Sequence, residues 1–269
     1  MIKINGVEIK NTRFPNGEIK IESNEIIERE IDFNNNLFVD FYWHDNSDLI
    51  ELYFIINYLK EIKKENMYIY LSFKYMPYSR MDRKENSSAF TLKYLTDWIN
   101  TWNLDGVDIY EPHSDVCLAL LDANVHYPTI DILAYVVYEI KFNNNDRIFY
   151  PDAGAQKRYH NLKYPNIVGF KNRDWETGKI KSLEICGDIP EEPFNVIIID
   201  DLCSYGGTFL LSAKKLKEVG ANDIYLIVGH CENSILDGEM INSDLIKRIY
   251  TTNSIFTGQH EKIEVCEVY

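Results

Sequence analysis

Asn195-Val-Ile-Ile-Ile-Asp-Asp-Leu-Cys-Ser-Tyr-Gly-Gly-Thr208, continued by a helix-patterned run from Phe209 to Val219, decides how this chain is read. Val196 to Ile199 spell a short buried strand, and Asp200 and Asp201 stand at its C-terminal tip. A turn of small residues follows, then apolar positions at helical spacing with Gly220 as a stop signal. Strand, amide-rich turn and helix N-terminus together cradle an anion, because unpaired N–H groups and the helix dipole both favour negative charge there. The two aspartates have the wrong charge for a phosphate. They suit the cis-hydroxyls of a ribose, or a metal. Sugar and phosphate side by side imply a phosphorylated ribose.

Working outward, strand and helix patterns alternate on both sides of this module. Leu37 to Tyr42, Met67 to Phe73 and Val107 to Tyr110 read as strands. Between them lie helices opened by Ser47-Asp48 and spanning Ala89 to Trp102. After Tyr127-Pro128 the cycle restarts, with a helix from Ile132 to Phe142 and strands at Arg147 to Tyr150, Asn166 to Phe170 and Val196 to Ile199. A helix near Asp244 to Lys247 and a strand near Ile249 to Thr252 close the pattern. Such alternation predicts an α/β fold of mainly parallel sheets covered on both faces, in two halves with a cleft, ligands gathering at the C-terminal strand ends.

Composition narrows the function. The chain has 269 residues, 45% hydrophobic and 26% charged, with a formal charge of −14, which argues against a nucleic-acid surface, since duplex binding relies on clustered Lys and Arg. Its five cysteines are scattered and odd in number, which points to reduced thiols. With no bilayer-length apolar run and no signal core after Met1, a cytoplasmic protein without membrane or nucleic-acid partners is expected.

Four further constellations each follow a strand. Met76 to Lys84 sets Arg80, Arg83 and Lys84 on a loop, which is either a ligand loop or a solvated basic turn. Tyr110-Glu-Pro-His-Ser114 places His113 at a strand tip, for Mg²⁺ or phosphate contact or simply for structure. Tyr150-Pro-Asp-Ala-Gly-Ala-Gln-Lys-Arg158 offers Asp152 to a cation, or forms an ordinary turn. Phe170-Lys-Asn-Arg173 leads into the polar stretch Asp174 to Lys181, a basic loop able to close over phosphates or plain surface charge. Their shared position after strands argues for one site.

In this order the motifs resemble ribose-phosphate diphosphokinase, the phosphoribosyl pyrophosphate synthetase family. Arg13-Phe-Pro-Asn-Gly-Glu18 is similar to its R-F-x-[DN]-x-E segment, which implies adenine-side contacts from Phe14, Asn16 and Glu18. Pro77-Tyr-Ser-Arg-Met-Asp-Arg-Lys84 resembles P-Y-A-R-Q-D-R-K, implying an ATP contact by Arg80. His113 matches a histidine that holds Mg²⁺ and phosphate, and Asp152 falls on the metal or ribose side. Lys171 and Arg173 inherit a catalytic role. Asp200 and Asp201 inherit the ribose, and Ser204, Tyr205, Gly206, Gly207 and Thr208 the 5-phosphate.

The resemblance implies two tandem phosphoribosyltransferase-like domains. Residues 1–128 would bind ATP and 129–256 the ribose phosphate, with the tail 257–269 packing back on the first. It also implies Mg²⁺ and a homo-oligomer, a dimer or a hexamer. The expected reaction moves the β,γ-diphosphate of ATP to the anomeric hydroxyl of a ribose 5-phosphate unit and releases AMP.

Departures from the family pattern bear on the acceptor. Only about a dozen residues precede Arg13, so an opening strand and helix look trimmed. Met81 replaces Gln, and Glu111-Pro112 replaces Asp-Leu. In the phosphate loop Ser204 replaces an acidic residue and Tyr205 a threonine. A dianionic monoester wants many small donors. A large aromatic there suits an acceptor extended beyond its 5-phosphate, such as ADP-ribose in nicotinamide-nucleotide recycling; alternatively Tyr205 donates through its hydroxyl or packs. Ribose 5-phosphate and the extended form both stay open. Two rivals are a phosphoribosyltransferase, which would leave the Arg13 and Pro77 motifs without a role, and a non-catalytic regulatory subunit, against which Lys171, Arg173, His113 and Asp152 argue.

Overall fold

The computed structural model describes residues 1–27, 36–85, 87–173 and 180–268, with the side chains of residues 25, 171–173 and 180–182 outside that description. The chain divides into two compact units, Met1–His126 and Tyr127–Tyr269.

The first unit begins with a hairpin of β1 (Ile2–Ile4) and β2 (Val7–Ile9) that the strand pattern did not announce. Its turn is Asn5-Gly6 with φ of 48° and 81°, the pair of positive angles that a tight hairpin turn demands. A second hairpin pairs β3 (Thr12–Arg13) with β4 (Ile19–Lys20), and α1 (Ser23–Ile27) follows. The parallel strands are β5 (Leu37–Phe41), β6 (Ile69–Phe73), β7 (Gly106–Tyr110) and β8 (Asn124–His126), connected through α2 (Asn46–Ile62), α3 (Thr91–Asn100) and α4 (Asp115–Leu121). Among the described residues the sheet order is β2-β1-β5-β6-β7-β8. The cap of α2 is Asp45 rather than Ser47. Asp45 accepts from the Ser47 N–H, and the Asp48 carboxylate closes the reciprocal half of a capping box.

In this sheet the two faces are buried to different degrees. Leu37, Val39 and Phe41 are fully buried, whereas Phe38 between them is 52% exposed and stacks on Tyr70 with centroids 5.2 Å apart. Alternate residues of a strand face opposite ways, so among the described residues the core shared with Leu52, Ile56 and Leu59 of α2 lies on the face of Leu37, Val39 and Phe41.

The second unit comprises α5 (Pro128–Glu139), β9 (Arg147–Tyr150), α6 (Ala153–Arg158), β10 (Asn166–Arg173), β11 (Ile180–Gly187), β12 (Phe194–Cys203), α7 (Gly207–Glu218), β13 (Ala221–Cys231), a 3₁₀ turn at Asn233–Asp237, β14 (Arg248–Thr252) and β15 (Ile263–Cys266). Its order is β11-β10-β9-β12-β13-β14-β15, antiparallel only between β10 and β11. Here both faces are covered. Val196 and Ile198 join a core with Phe209, Ala213 and Leu216 of α7, while Ile197 and Ile199 join another with Ile132, Leu133 and Val136 of α5. That is why four apolar residues run together in β12.

Three expectations need correction. The tail is part of the second unit. Residues Ile263–Cys266 pair in parallel with Ile249 to Thr252 and extend the second sheet as β15. The stretch from Asp244 to Lys247 is turn, not helix; Ser243 Oγ accepts from the Leu245 N–H, and Ile246 is buried from this short loop. β10 runs past its expected end at Phe170 through Arg173, with Lys171 paired to Leu183 of β11, while residues 174–179 of the expected basic loop lie outside the described residues. Among the described residues no helix is long and apolar enough to cross a membrane.

Candidate functional site

In the first unit three motifs occupy turns beside or beyond strand ends. Phe14, Asn16 and Glu18 come together on the β3–β4 turn. The Asn16 side-chain amide donates to Glu18 Oε2 at 2.9 Å, and the Glu18 N–H donates to Asn16 Oδ1 at 3.1 Å. Gly17 adopts φ +91°, a left-handed conformation that glycine takes without steric cost. Arg13 ties this turn to the start of α2, with Nη2 at 2.8 Å from Asp48 and 2.5 Å from Glu51, and Nη1 bonded to Ser47. Because the Arg13 side chain is 41% exposed, each pair stabilises by about 1 kcal/mol or less. Its larger effect is to aim the turn, whose Phe14 ring is 45% exposed.

The loop after β6 carries Arg80, which is exposed, and the loop after β7 carries His113, which is half-buried. Both loops hold non-glycine residues in left-handed backbone, Tyr78 at φ 60° and Glu111 at φ 45°. Such conformations persist where surrounding bonds over-determine them. Tyr78 Oη donates to Asn46 Oδ1 at 2.6 Å, and the Glu111 N–H donates to the His126 carbonyl at 2.8 Å. Next to His113, the Ser114 hydroxyl is buried without a hydrogen-bond partner. Lys74, just past β6, was not singled out by pattern; it is 1% exposed, 2.9 Å from Asp40 and 4.0 Å from the centre of the Tyr110 ring.

In the second unit Asp200 and Asp201 stand inside the C-terminal end of β12. The Asp201 N–H donates to Asp200 Oδ1 at 2.9 Å, which folds the Asp200 carboxylate back toward its neighbour. Arg158 Nη1 lies 3.4 Å from Asp200 Oδ1 and 2.9 Å from Asp201 Oδ1. Burial, then the adjoining Asp201 charge, pushes the Asp200 carboxyl well above the usual carboxylate range.

Beyond the aspartates, Gly206 takes φ +81° and α7 starts at Gly207, so the first amides of a 12-residue helix lie beside Thr208. Tyr205 is 62% exposed. The Ser204 hydroxyl donates to the Glu232 carboxylate in a short bond, and Ser234 Oγ also donates to Glu232 at 3.2 Å. Behind the loop, a Cβ on Gly238 would stand 2.1 Å from the Tyr205 carbonyl oxygen. Glu232 and Gly238 were missed by motif reading. The only signal was a carboxylate at the end of a neighbouring strand, with a glycine six residues on.

Asp152, expected on a cation, caps α6 and accepts from the Gly154 and Ala155 N–H groups at 3.0 and 3.1 Å. It belongs to the second unit and His113 to the first. Among the described residues no cluster of three or more His, Cys, Asp or Glu is arranged to hold a metal ion. That donor set fits a Mg²⁺ carried mainly on substrate phosphates, which needs only one or two carboxylates. Lys171 and Arg173 have their backbone in β10, but their side chains lie outside the described residues, as do residues 174–179.

No family model matches the chain. It is 28% identical over 277 aligned positions to the ribose-phosphate pyrophosphokinase of Bacillus caldolyticus, covering 97% of this chain and 83% of that protein. It is 30% identical over 230 positions to the ribose-phosphate pyrophosphokinase of Staphylococcus saprophyticus, covering 81% and 69%. Among solved structures, phosphoribosylpyrophosphate synthetase from Mycobacterium smegmatis superposes with a TM-score of 0.73 at 19% identity, over 97% of this chain and 86% of that one.

Proposed function

Since the chain belongs to the ribose-phosphate pyrophosphokinase family of diphosphotransferases, we propose that it transfers the β,γ-diphosphate of ATP to the anomeric hydroxyl of a ribose 5-phosphate unit and releases AMP. One observation carries this reading: a pair of aspartates at a strand end runs directly into an amide-rich turn that opens α7. The aspartates accept from the 2- and 3-hydroxyls, and the amides of Gly206 to Thr208 hold the 5-phosphate.

ATP belongs to the first unit's loops, with the base at Phe14, Asn16 and Glu18 and the phosphates at Arg80 and His113. Fixing the sugar at both its diol and its phosphate leaves the 1-hydroxyl as the reacting group. Its oxygen attacks the β-phosphorus in line and gives up its proton to water, the bond from that phosphorus to the α,β-bridging oxygen breaks, and AMP departs with that oxygen. Such a transfer needs alignment and charge neutralisation more than covalent help. Lys171 and Arg173 meet the charge that builds on the transferring group. Mg²⁺, held by the ATP phosphates with Asp152 or His113, would supply further neutralisation of the phosphate oxygens.

A second reading concerns the far end of the acceptor. The Ser204 hydroxyl is spent on Glu232, whose carboxylate adds negative charge beside the phosphate loop, and Tyr205 offers an exposed ring. This disfavours a dianionic monoester relative to a singly charged phosphate that carries a further group, such as the diphosphate of ADP-ribose. Incubation with ATP, Mg²⁺ and either ribose 5-phosphate or ADP-ribose, with products weighed by mass spectrometry, tests both readings. An acceptor heavier by one diphosphate, formed with AMP, is the expected result. ADP formation, or no acceptor-dependent AMP, would overturn the first reading, and exclusive use of ribose 5-phosphate the second.

A further inference from the structure

Asp200 and Asp201 are consecutive residues of one strand, and side chains of consecutive strand residues point to opposite faces. A sugar diol needs both carboxylates, or one carboxylate in a fixed orientation, on the same side. The structure contains a device that resolves this conflict. Arg158, the last residue of α6, sends one nitrogen, Nη1, to both acids, at 2.9 Å from Asp201 and 3.4 Å from Asp200. All three side chains are shielded, at 10%, 13% and 7% exposure for Arg158, Asp200 and Asp201.

We infer that Arg158 is a positioning residue for acceptor recognition: it draws the two carboxylates to one side and holds the pair at a single net negative charge, ready for the diol. The inference rests on the diphosphokinase reading above. Charge counting supports it. Two touching carboxylates shielded from water cannot both ionise without a cation between them, and Asp200 is already harder to ionise than an ordinary aspartate. With Arg158 present, one negative charge is balanced and one is left to accept from two hydroxyls. The position of Arg158 is itself built. Asp152 caps the opposite end of α6 through Gly154 and Ala155, and the Tyr159 N–H bonds the Ala155 carbonyl just past Arg158. Lysine keeps the positive charge and gives up the planar fork, so it is a partial substitute where a neutral side chain is none.

The test measures binding of ribose 5-phosphate, of ADP-ribose and, separately, of ATP by calorimetry with the full chain, comparing wild type, Arg158→Lys and Arg158→Met. Arg158→Met is expected to weaken the tighter-bound ribose phosphate by about tenfold or more, the scale of one lost charge-assisted contact, and to change ATP affinity by less than about twofold. Arg158→Lys is expected to recover most of the loss. Should Arg158→Met fail to fold, Arg158→Gln replaces it, keeping a polar donor without the charge, with the same loss of about tenfold in acceptor affinity expected. Equal acceptor affinity across the variants, or equal losses for acceptor and ATP, would overturn the role of Arg158 and leave the diphosphokinase reading standing. Wild type that binds neither ribose phosphate would overturn both.

Discussion

Gly238→Ala perturbs the acceptor site without touching any residue proposed to contact substrate. The added Cβ would lie 2.1 Å from the Tyr205 carbonyl oxygen, 3.0 Å from its carbonyl carbon and 3.2 Å from the Ile235 carbonyl oxygen. All three are backbone atoms, so no side chain can swing aside. Ordinary contact begins at 3.4 Å, so the Tyr205 carbonyl must retreat by 3.4 minus 2.1, or 1.3 Å. Tyr205 immediately precedes Gly206 and the first amides of α7, and Met240 packs against Gly206 on the same side. The displacement therefore passes to the amides that hold the 5-phosphate. A misplacement of about 1 Å costs on the order of 10²-fold in rate, or about 2.7 kcal/mol of transition-state stabilisation. Steady-state AMP release with acceptor varied at saturating ATP reads this directly. The expected result is kcat/KM for the acceptor down by about 10², KM for ATP unchanged, and an overpacking cost of about 1–3 kcal/mol in folding stability. A variant that folds normally and keeps acceptor kcat/KM within about twofold of wild type would refute the assignment of the 204–208 loop to the phosphate.

Removal of the amine in Lys171→Ala should lower kcat by about 10²–10³ with small changes in either KM, measured by the same assay; near-normal turnover would remove Lys171 from the transition state. Asp200→Asn should lose acceptor binding yet raise the melting temperature at pH 7. Burial and the Asp201 charge raise the folded pKa of Asp200 above its unfolded value, so the favourable contribution of this group is present at low pH and lost as pH rises through that raised value. The gain in melting temperature should accordingly shrink toward about pH 3.9, the ordinary aspartate value, as scanning fluorimetry across pH would show. Asp45→Ala deletes the cap of α2 and should cost about 1 kcal/mol, seen as a lower urea midpoint with unchanged slope.

Much of the second unit was legible because its signals are local. Four consecutive apolar residues at Val196 to Ile199 meant a strand covered on both faces, and two separate cores do cover it. In the first unit the burial is less even. Leu37, Val39 and Phe41 are buried while Phe38 between them is exposed, and because Phe38 is itself apolar the sequence carries no period-two signal of that difference. The opening hairpin was also readable in Asn5-Gly6, but strands of three residues carry too few side chains to declare a period. What sequence could not supply was pairing at a distance. Nothing local says that residues 263–266 join β14, that Arg158 spans 42 positions to reach Asp200, or that Glu232 takes the Ser204 hydroxyl. Those contacts follow from strand order, which short apolar runs leave undetermined.

The central claim is attack at the β-phosphorus by a sugar hydroxyl, and isotope tracing tests it most directly. ATP carrying ¹⁸O in the α,β-bridging position, turned over with the preferred ribose phosphate, should deliver the label wholly to AMP while unlabelled diphosphate appears on the sugar. Label recovered in the diphosphate would place the attack at the α-phosphorus, and label recovered in ADP would mean transfer of a single phosphoryl group; either result contradicts the account.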